Sequence, residues 1–184
     1  MIGTLRRLLG RKAEPHATTP RNPIGRRQGQ ARLTAIKAVA LQPVLFAQWG
    51  IPDRFDGRFE AVLLLTAVDF ARLVRAEDTA AADALLTAFM EDVELALQAS
   101  GVSDSGMRKK MRQVETSAYA RVARIGVALR QNAPSQPEIL NSMFGGSEDA
   151  APRATADRLD SLLHALYADP DGLASADALI ARLS

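Results

Sequence analysis

Cysteine is absent from this chain of 184 residues, so disulfides, thiol catalysis and cysteine-ligated zinc are excluded. Aromatic residues make up only 5% of it, with a single tryptophan, Trp49. A core short of aromatics and rich in Ala, Leu and Val favours helices over sheets, whose pleated surfaces select β-branched and aromatic side chains. Histidine is scarce too. His16 lies in a turn-rich stretch near the start, and His164 follows Asp160 by four positions on one helical face. That spacing suits a metal, yet two ligands do not make a site, and the pair reads as solvent-facing. There is no internal repeat, no phosphate-binding glycine loop and no sustained heptad pattern.

What is present fits a globular protein. Apolar residues are 47% of the chain, and its length suggests one domain plus tails. The expected fold is all-α, a compact bundle of about five to seven helices preceded by a mobile basic arm. The net charge of +2 hides an asymmetry. Residues 1–32 hold eight Arg and Lys against Glu14, a net of +7, and the remainder stands at −5. Such an arm suits an anionic surface: lipid, RNA or an acidic protein. At its start Leu5, Leu8 and Leu9 share a helical face beside Arg6, Arg7, Arg11 and Lys12. This pattern suits an interfacial helix on an anionic membrane. It is too short to span a bilayer and lacks the apolar stretch and cleavage site of a secretory signal. Residues 13–30, with Pro15, Pro20, Pro23, Gly25 and Gly29, read as an irregular linker.

The domain reading is a basic arm over 1–32, a helical domain over 33–145, and a linker with a C-terminal helical hairpin over 146–184. A first helix carries Leu33, Ile36, Val39 and Ala40 at helical spacing, and Pro43 ends it or opens a second short one. The connection Trp49-Gly50-Ile51-Pro52-Asp53-Arg54-Phe55-Asp56-Gly57-Arg58 concentrates turn-forming, apolar and charged residues. Asp53 and Asp56 are placed to cap the helix that follows. That helix, about Arg58 to Ala76, is apolar nearly all round, as a central bundle helix must be. Its narrow polar seam includes Asp69 and Arg72, which are three apart and able to pair.

The next helix, capped by Asp78 or Thr79, runs to about Ser100 before Gly101. It carries Asp83, Glu91, Asp92 and Glu94 on its outer face, read as solvated. A long helix then spans about Met107 to Arg130. Its first turns hold Arg108, Lys109, Lys110 and Arg112. Four cations there oppose the helix dipole and call for a compensating acid, anion or solvent. Near the end, Thr155 is expected to cap a helix bearing Leu159, Leu162, Leu163 and Leu166, followed by a short helix over Ala176 to Leu183.

Several motifs in register then resemble one family. Gly50-Ile51-Pro52-Asp53 followed by Asp56-Gly57-Arg58-Phe59-Glu60 is similar to the Gly-Val-Pro-Asp and Asp-Gly-Arg-Phe-Asp/Glu signature of the ubiquinol–cytochrome c chaperone family. The acidic Met90-Glu91-Asp92-Val93-Glu94, the Gly101-Val102-Ser103-Asp104 turn and Lys109-Lys110-Met111 follow in the family's order over about residues 33–130. The chain departs from the pattern at Leu97-Gln98-Ala99, where the family has Leu-Arg-Glu. It also has Ser103 for a second Gly, and Ala120 in Tyr119-Ala120-Arg121 for the Gly of Phe-Gly-Arg. The resemblance implies a divergent bacterial member: a non-enzymatic, all-helical assembly factor of the respiratory chain, without cofactor or small-molecule substrate. Its implied client is cytochrome b of the quinol–cytochrome c reductase. An anionic membrane or the ribosome is the further expected partner, and the expected place is the cytoplasm or the inner face of the cytoplasmic membrane. The partner-binding surface is expected at Trp49, Ile51, Asp53, Arg54, Arg58, Arg108, Lys109, Lys110 and Arg112. Two other readings are a helical nucleic-acid-binding module acting through the arm, and an enzyme built on a bundle. The enzyme would need Asp69, Glu91 or Asp92 to converge in a deep polar pocket.

Overall fold

In a computed structural model, residues 23–101 and 104–184 are described. They form eight α-helices and one 3-10 turn, with no strand among the described residues. The expectations for residues 1–22 and for Val102 and Ser103 lie outside them. The helices are α1 (Pro23–Ala40), α2 (Pro43–Ala47), α3 (Phe55–Arg75), α4 (Thr79–Ala99), α5 (Asp104–Gln131), α6 (Gln136–Phe144), α7 (Ala150–Ala168) and α8 (Ala176–Leu183). That is more than the sequence predicts, and α2 and α8 are only five and eight residues long.

Helix α3 is the axis. Every residue from Glu60 to Ala71 is buried, and α1, α4, α5, α6 and α7 all pack against it. Their stripes close one apolar cluster, from Leu33 and Ile36 of α1 to Leu179 and Ile180 of α8. Residues 23–30, read as irregular from their Pro and Gly content, are the first turns of α1 instead. Proline is tolerated at a helix's first position, where its missing N–H has no intrahelical role. Gly29 has a packing reason: a Cβ there would overlap the Ala84 carbonyl, so α1 and α4 approach backbone to side. Arg26–Glu91 at 3.2 Å and Lys37–Asp92 at 2.7 Å cross the same contact, and Arg32–Asp69 at 3.0 Å ties α1 to α3. The acidic face of α4 is thus partly covered by α1, not solvated throughout.

Arg72 does not pair with Asp69. It reaches the end of α7 and donates to the carbonyls of Leu166 at 2.7 Å, of Pro170 at 2.9 Å, and of Asp169. A guanidinium satisfies the orphan carbonyls of a helix C-terminus and complements its dipole. Gly172, at φ +57°, leaves no room for a Cβ beside that guanidinium. The C-terminal helices are knitted into the bundle in the same way elsewhere. Thr155 lies inside α7, not at its start, and its hydroxyl donates to the Trp49 carbonyl. Trp49 Nε1 donates to Ser184 Oγ at 2.9 Å.

Asp160 and His164 do not face solvent. Asp160 accepts from the Ser135 N–H at 2.7 Å, and His164 Nε2 lies 3.1 Å from the Ala133 carbonyl. Together they hold the α5–α6 connection, where Asn132 takes φ +52°. No group of three metal-ligating side chains converges among the described residues. None of the described helices is long and apolar enough to cross a membrane.

Candidate functional site

The turn before α3 is set by two constraints. Gly50 adopts φ +86°, a conformation that favours glycine. Gly57 then brings the first turn of α3 against the Pro52 carbonyl, where a Cβ would collide. Neither Asp53 nor Asp56 caps α3, whose N-cap is Arg54 with no side-chain cap bond. Asp53 instead accepts from Arg58 Nε at 2.7 Å, and the Arg58 guanidinium lies over the Phe46 ring. This exposed pair raises the Arg58 pKa above its usual value, through the Asp53 hydrogen bond first and its charge second. Asp56 stays exposed in the first turn, where an acid complements the dipole.

The tight turn leaves Arg54 and Phe55 at the mouth of a cleft of about 700 Å³. Its walls come from the start of α3, the last turns of α4, the face of α5 from Lys110 to Arg121, and α6 with the residues after it. Phe59, Val93, Leu97, Val114, Met143 and Phe144 supply apolar lining. Phe55 is 54% exposed, one of three large apolar side chains so exposed among the described residues. Lys110 also lines the cleft.

On the cleft wall a buried ion pair joins α3 to α5. Arg121 Nη1 donates to Glu60 Oε1, with both side chains largely buried. Burial pushes the Glu60 carboxyl up, and the Arg121 charge and hydrogen bond only partly offset it. Glu60 Oε2 and Arg121 Nε have no hydrogen-bond partner among the described residues. The Arg121 guanidinium also lies 5.8 Å from the Phe59 ring centre, and Phe59 in turn meets Phe89 at 5.9 Å.

The nine residues expected at a partner surface therefore separate. Trp49 and Ile51 are each 2% exposed and belong to the core beneath the turn, fixed by apolar packing and the Trp49–Ser184 bond. Arg54 and Lys110 both line the cleft. Asp53 and Arg58 are engaged with each other outside it. Arg108, Lys109 and Arg112 are exposed on α5 but do not line the cleft. The α3 and α5 contributors that sequence reasoning did not assign to a site are Phe55, Phe59, Glu60 and Arg121. A signal was present for the last two. Glu60 interrupts an apolar run, and Arg121 falls between Ala118, Val122 and Ile125 on the buried stripe of α5. The acids an enzyme would have gathered are dispersed: Asp69, Glu91 and Asp92 each pair with a different base of α1.

Comparison with known proteins bears on this arrangement. The chain matches the family described as ubiquinol-cytochrome C chaperone over residues 47–174, from the turn before α3 to the 3-10 segment. That match starts later and ends later than the resemblance read from the motifs. A crystal structure of the Cbp3 homolog from Brucella abortus superposes with a TM-score of 0.62 at 23% identity. The match covers 96% of this chain and 93% of that one, and shows a shared fold. No curated protein matches. A helical bundle with an open apolar cleft and a match across most of its length defines the class: a chaperone or assembly factor. The chain belongs to the ubiquinol-cytochrome c chaperone family.

Proposed function

We propose that this chaperone receives an apolar segment of newly made cytochrome b and holds it in the cleft beside Phe55 until the quinol–cytochrome c reductase assembles. One observation carries the reading. The segment that bears the family resemblance, from Pro52 to Glu60, lines an open, mainly apolar cleft and leaves Phe55 exposed at its mouth. An exposed aromatic beside an arginine, over a concave apolar surface, is the usual make-up of an interface anchor. The binding surface is Arg54 and Phe55 together with Lys110, and Lys109 next to it on α5. No bond-making step is assigned to any side chain. A membrane protein client would itself bring the chaperone to the membrane surface.

Affinity capture of the full chain from membranes of its own host tests this. Wild type should recover cytochrome b, identified by mass spectrometry. Phe55→Ala should recover at least several-fold less while keeping the wild-type helical spectrum. Arg58→Ala, outside the cleft, should recover as much as wild type. Undiminished recovery by a folded Phe55→Ala variant would overturn the cleft as the client site, and absence of cytochrome b from every capture would overturn the client.

A further inference from the structure

The cleft offers no backbone edge to a partner. Apart from the start of α3 and the residues that follow α6, its walls are the sides of helices, whose amides and carbonyls are spent on their own turns, and no strand exists among the described residues. An extended peptide would lie there with half its hydrogen-bonding groups unmet, which costs free energy for each buried group. A helix brings its backbone already satisfied, so helix-in-groove recognition is the mode this surface supports.

The charge around the mouth adds a second constraint. Arg54, just before α3, and Lys110, of α5, both line the cleft, and neither makes an ion pair among the described residues. Three of the acids nearby are already engaged. Glu60 is held by Arg121, Asp53 by Arg58, and Glu138 by Arg124 at 2.7 Å. Asp56 sits over the amide end of α3, which offsets its charge. Lys110 and its neighbours Arg108, Lys109 and Arg112 stand in the first turns of α5, where the helix dipole is itself positive. Among the lining residues the unpaired cations Arg54 and Lys110 thus outnumber the one acid outside an ion pair, Asp56.

From these two constraints we infer that the cleft selects amphipathic helical polypeptide segments whose apolar face is flanked by acidic residues, the acids meeting Arg54 and Lys110. This rests on the proposed function and specifies its ligand. Basic flanks, which commonly mark the ends of membrane-spanning helices on the cytoplasmic side, are repelled at the mouth. The cleft then discriminates among client segments of equal hydrophobicity by the sign of the adjoining charge.

Three fluorescent peptides of about 15 residues test this, long enough to form helix on binding. They share one apolar face at i, i+3, i+4 and i+7, and carry Glu, Gln or Lys flanks. Binding is read by polarisation on the full chain at low and high salt. The Glu peptide should bind tightest, about five- to tenfold tighter than the Lys peptide, as two partly exposed charge pairs allow. High salt should erase the difference. An Arg54→Glu/Lys110→Glu variant with an unchanged helical spectrum should reverse the order. Phe55→Ala should weaken all three peptides and keep their order. Equal affinities of the three peptides, or an order that the charge reversal leaves unchanged, would overturn the selectivity. Binding of none of them, with cytochrome b still captured from membranes, would overturn the inference and leave the proposed function standing.

Discussion

Single residues in this chain do work that their types alone do not announce. Gly57 sits in the second half of a recognisable motif, but its role is a close approach to the Pro52 carbonyl that only the folded turn displays. Trp49, the lone tryptophan, suits a core anchor from sequence, with a partner-facing anchor as the second option. It is buried because α7, from far along the chain, folds over it and Thr155 binds its carbonyl. Phe55, a few residues on, is the aromatic left outside. Tyr119 gives a prediction at this scale. Burial first, then the charges of Glu115 and Asp83, push its phenol from an ordinary 10.0 up to about 12. The folded state thus holds the phenolic proton more tightly than the unfolded chain does. Its contribution is complete below pH 10 and is lost as the pH rises through the window up to about 12. Urea unfolding of wild type and Tyr119→Phe across that window should show a steeper alkaline loss for wild type, and identical slopes would contradict the burial argument.

At the scale of elements, periodicity was a reliable guide and connections were not. The stripes of α3, α4 and α5 are visible in the sequence because their apolar residues repeat at 3.6-residue spacing and each is long enough to average over exceptions. Helix ends were less legible. Pro23 and Gly29 read as breakers, yet one is harmless at a first position and the other serves packing against α4. Thr155 reads as a cap, but α7 starts earlier, at Ala150. Polar partners were illegible for a simple reason. Local spacing pairs Asp69 with Arg72, while the fold gives each a partner far away in sequence; Asp160 keeps its local contact with His164 at 3.5 Å and also gains the distant Ser135 N–H. Arg72 carries the prediction here. It binds the last carbonyls of α7 and the turn that follows. Arg72→Met keeps much of the side-chain volume and removes those bonds, at a cost of about 2 kcal/mol. Hydrogen exchange should speed up locally over residues 164–175, and exchange unchanged there would show that α7 ends without help from α3.

For the whole molecule, the candidate site is divided between parts that sequence could and could not reach. The Pro52–Glu60 stretch and Lys110 were legible as motifs because they combine special turn residues with charges that oppose a helix dipole. That they line one cleft was not legible, since it depends on how α3, α4, α5 and α6 meet. The Glu60–Arg121 pair shows the same division. Each residue is visible in its own helix, and only packing joins them. A buried pair of this kind adds little net stability, and its loss on one side is costly, so it fixes the α3–α5 geometry of the cleft wall more than it strengthens the fold. The central claim is that the cleft beside Phe55 holds cytochrome b during assembly. The most direct measurement places a photo-reactive amino acid at position 55, and at exposed Ser161 of α7 as a control, and crosslinks during synthesis of the client. The account predicts a cytochrome b adduct from position 55 and none from position 161. Adducts of equal yield from both positions, or from neither while cytochrome b is still captured, would contradict it.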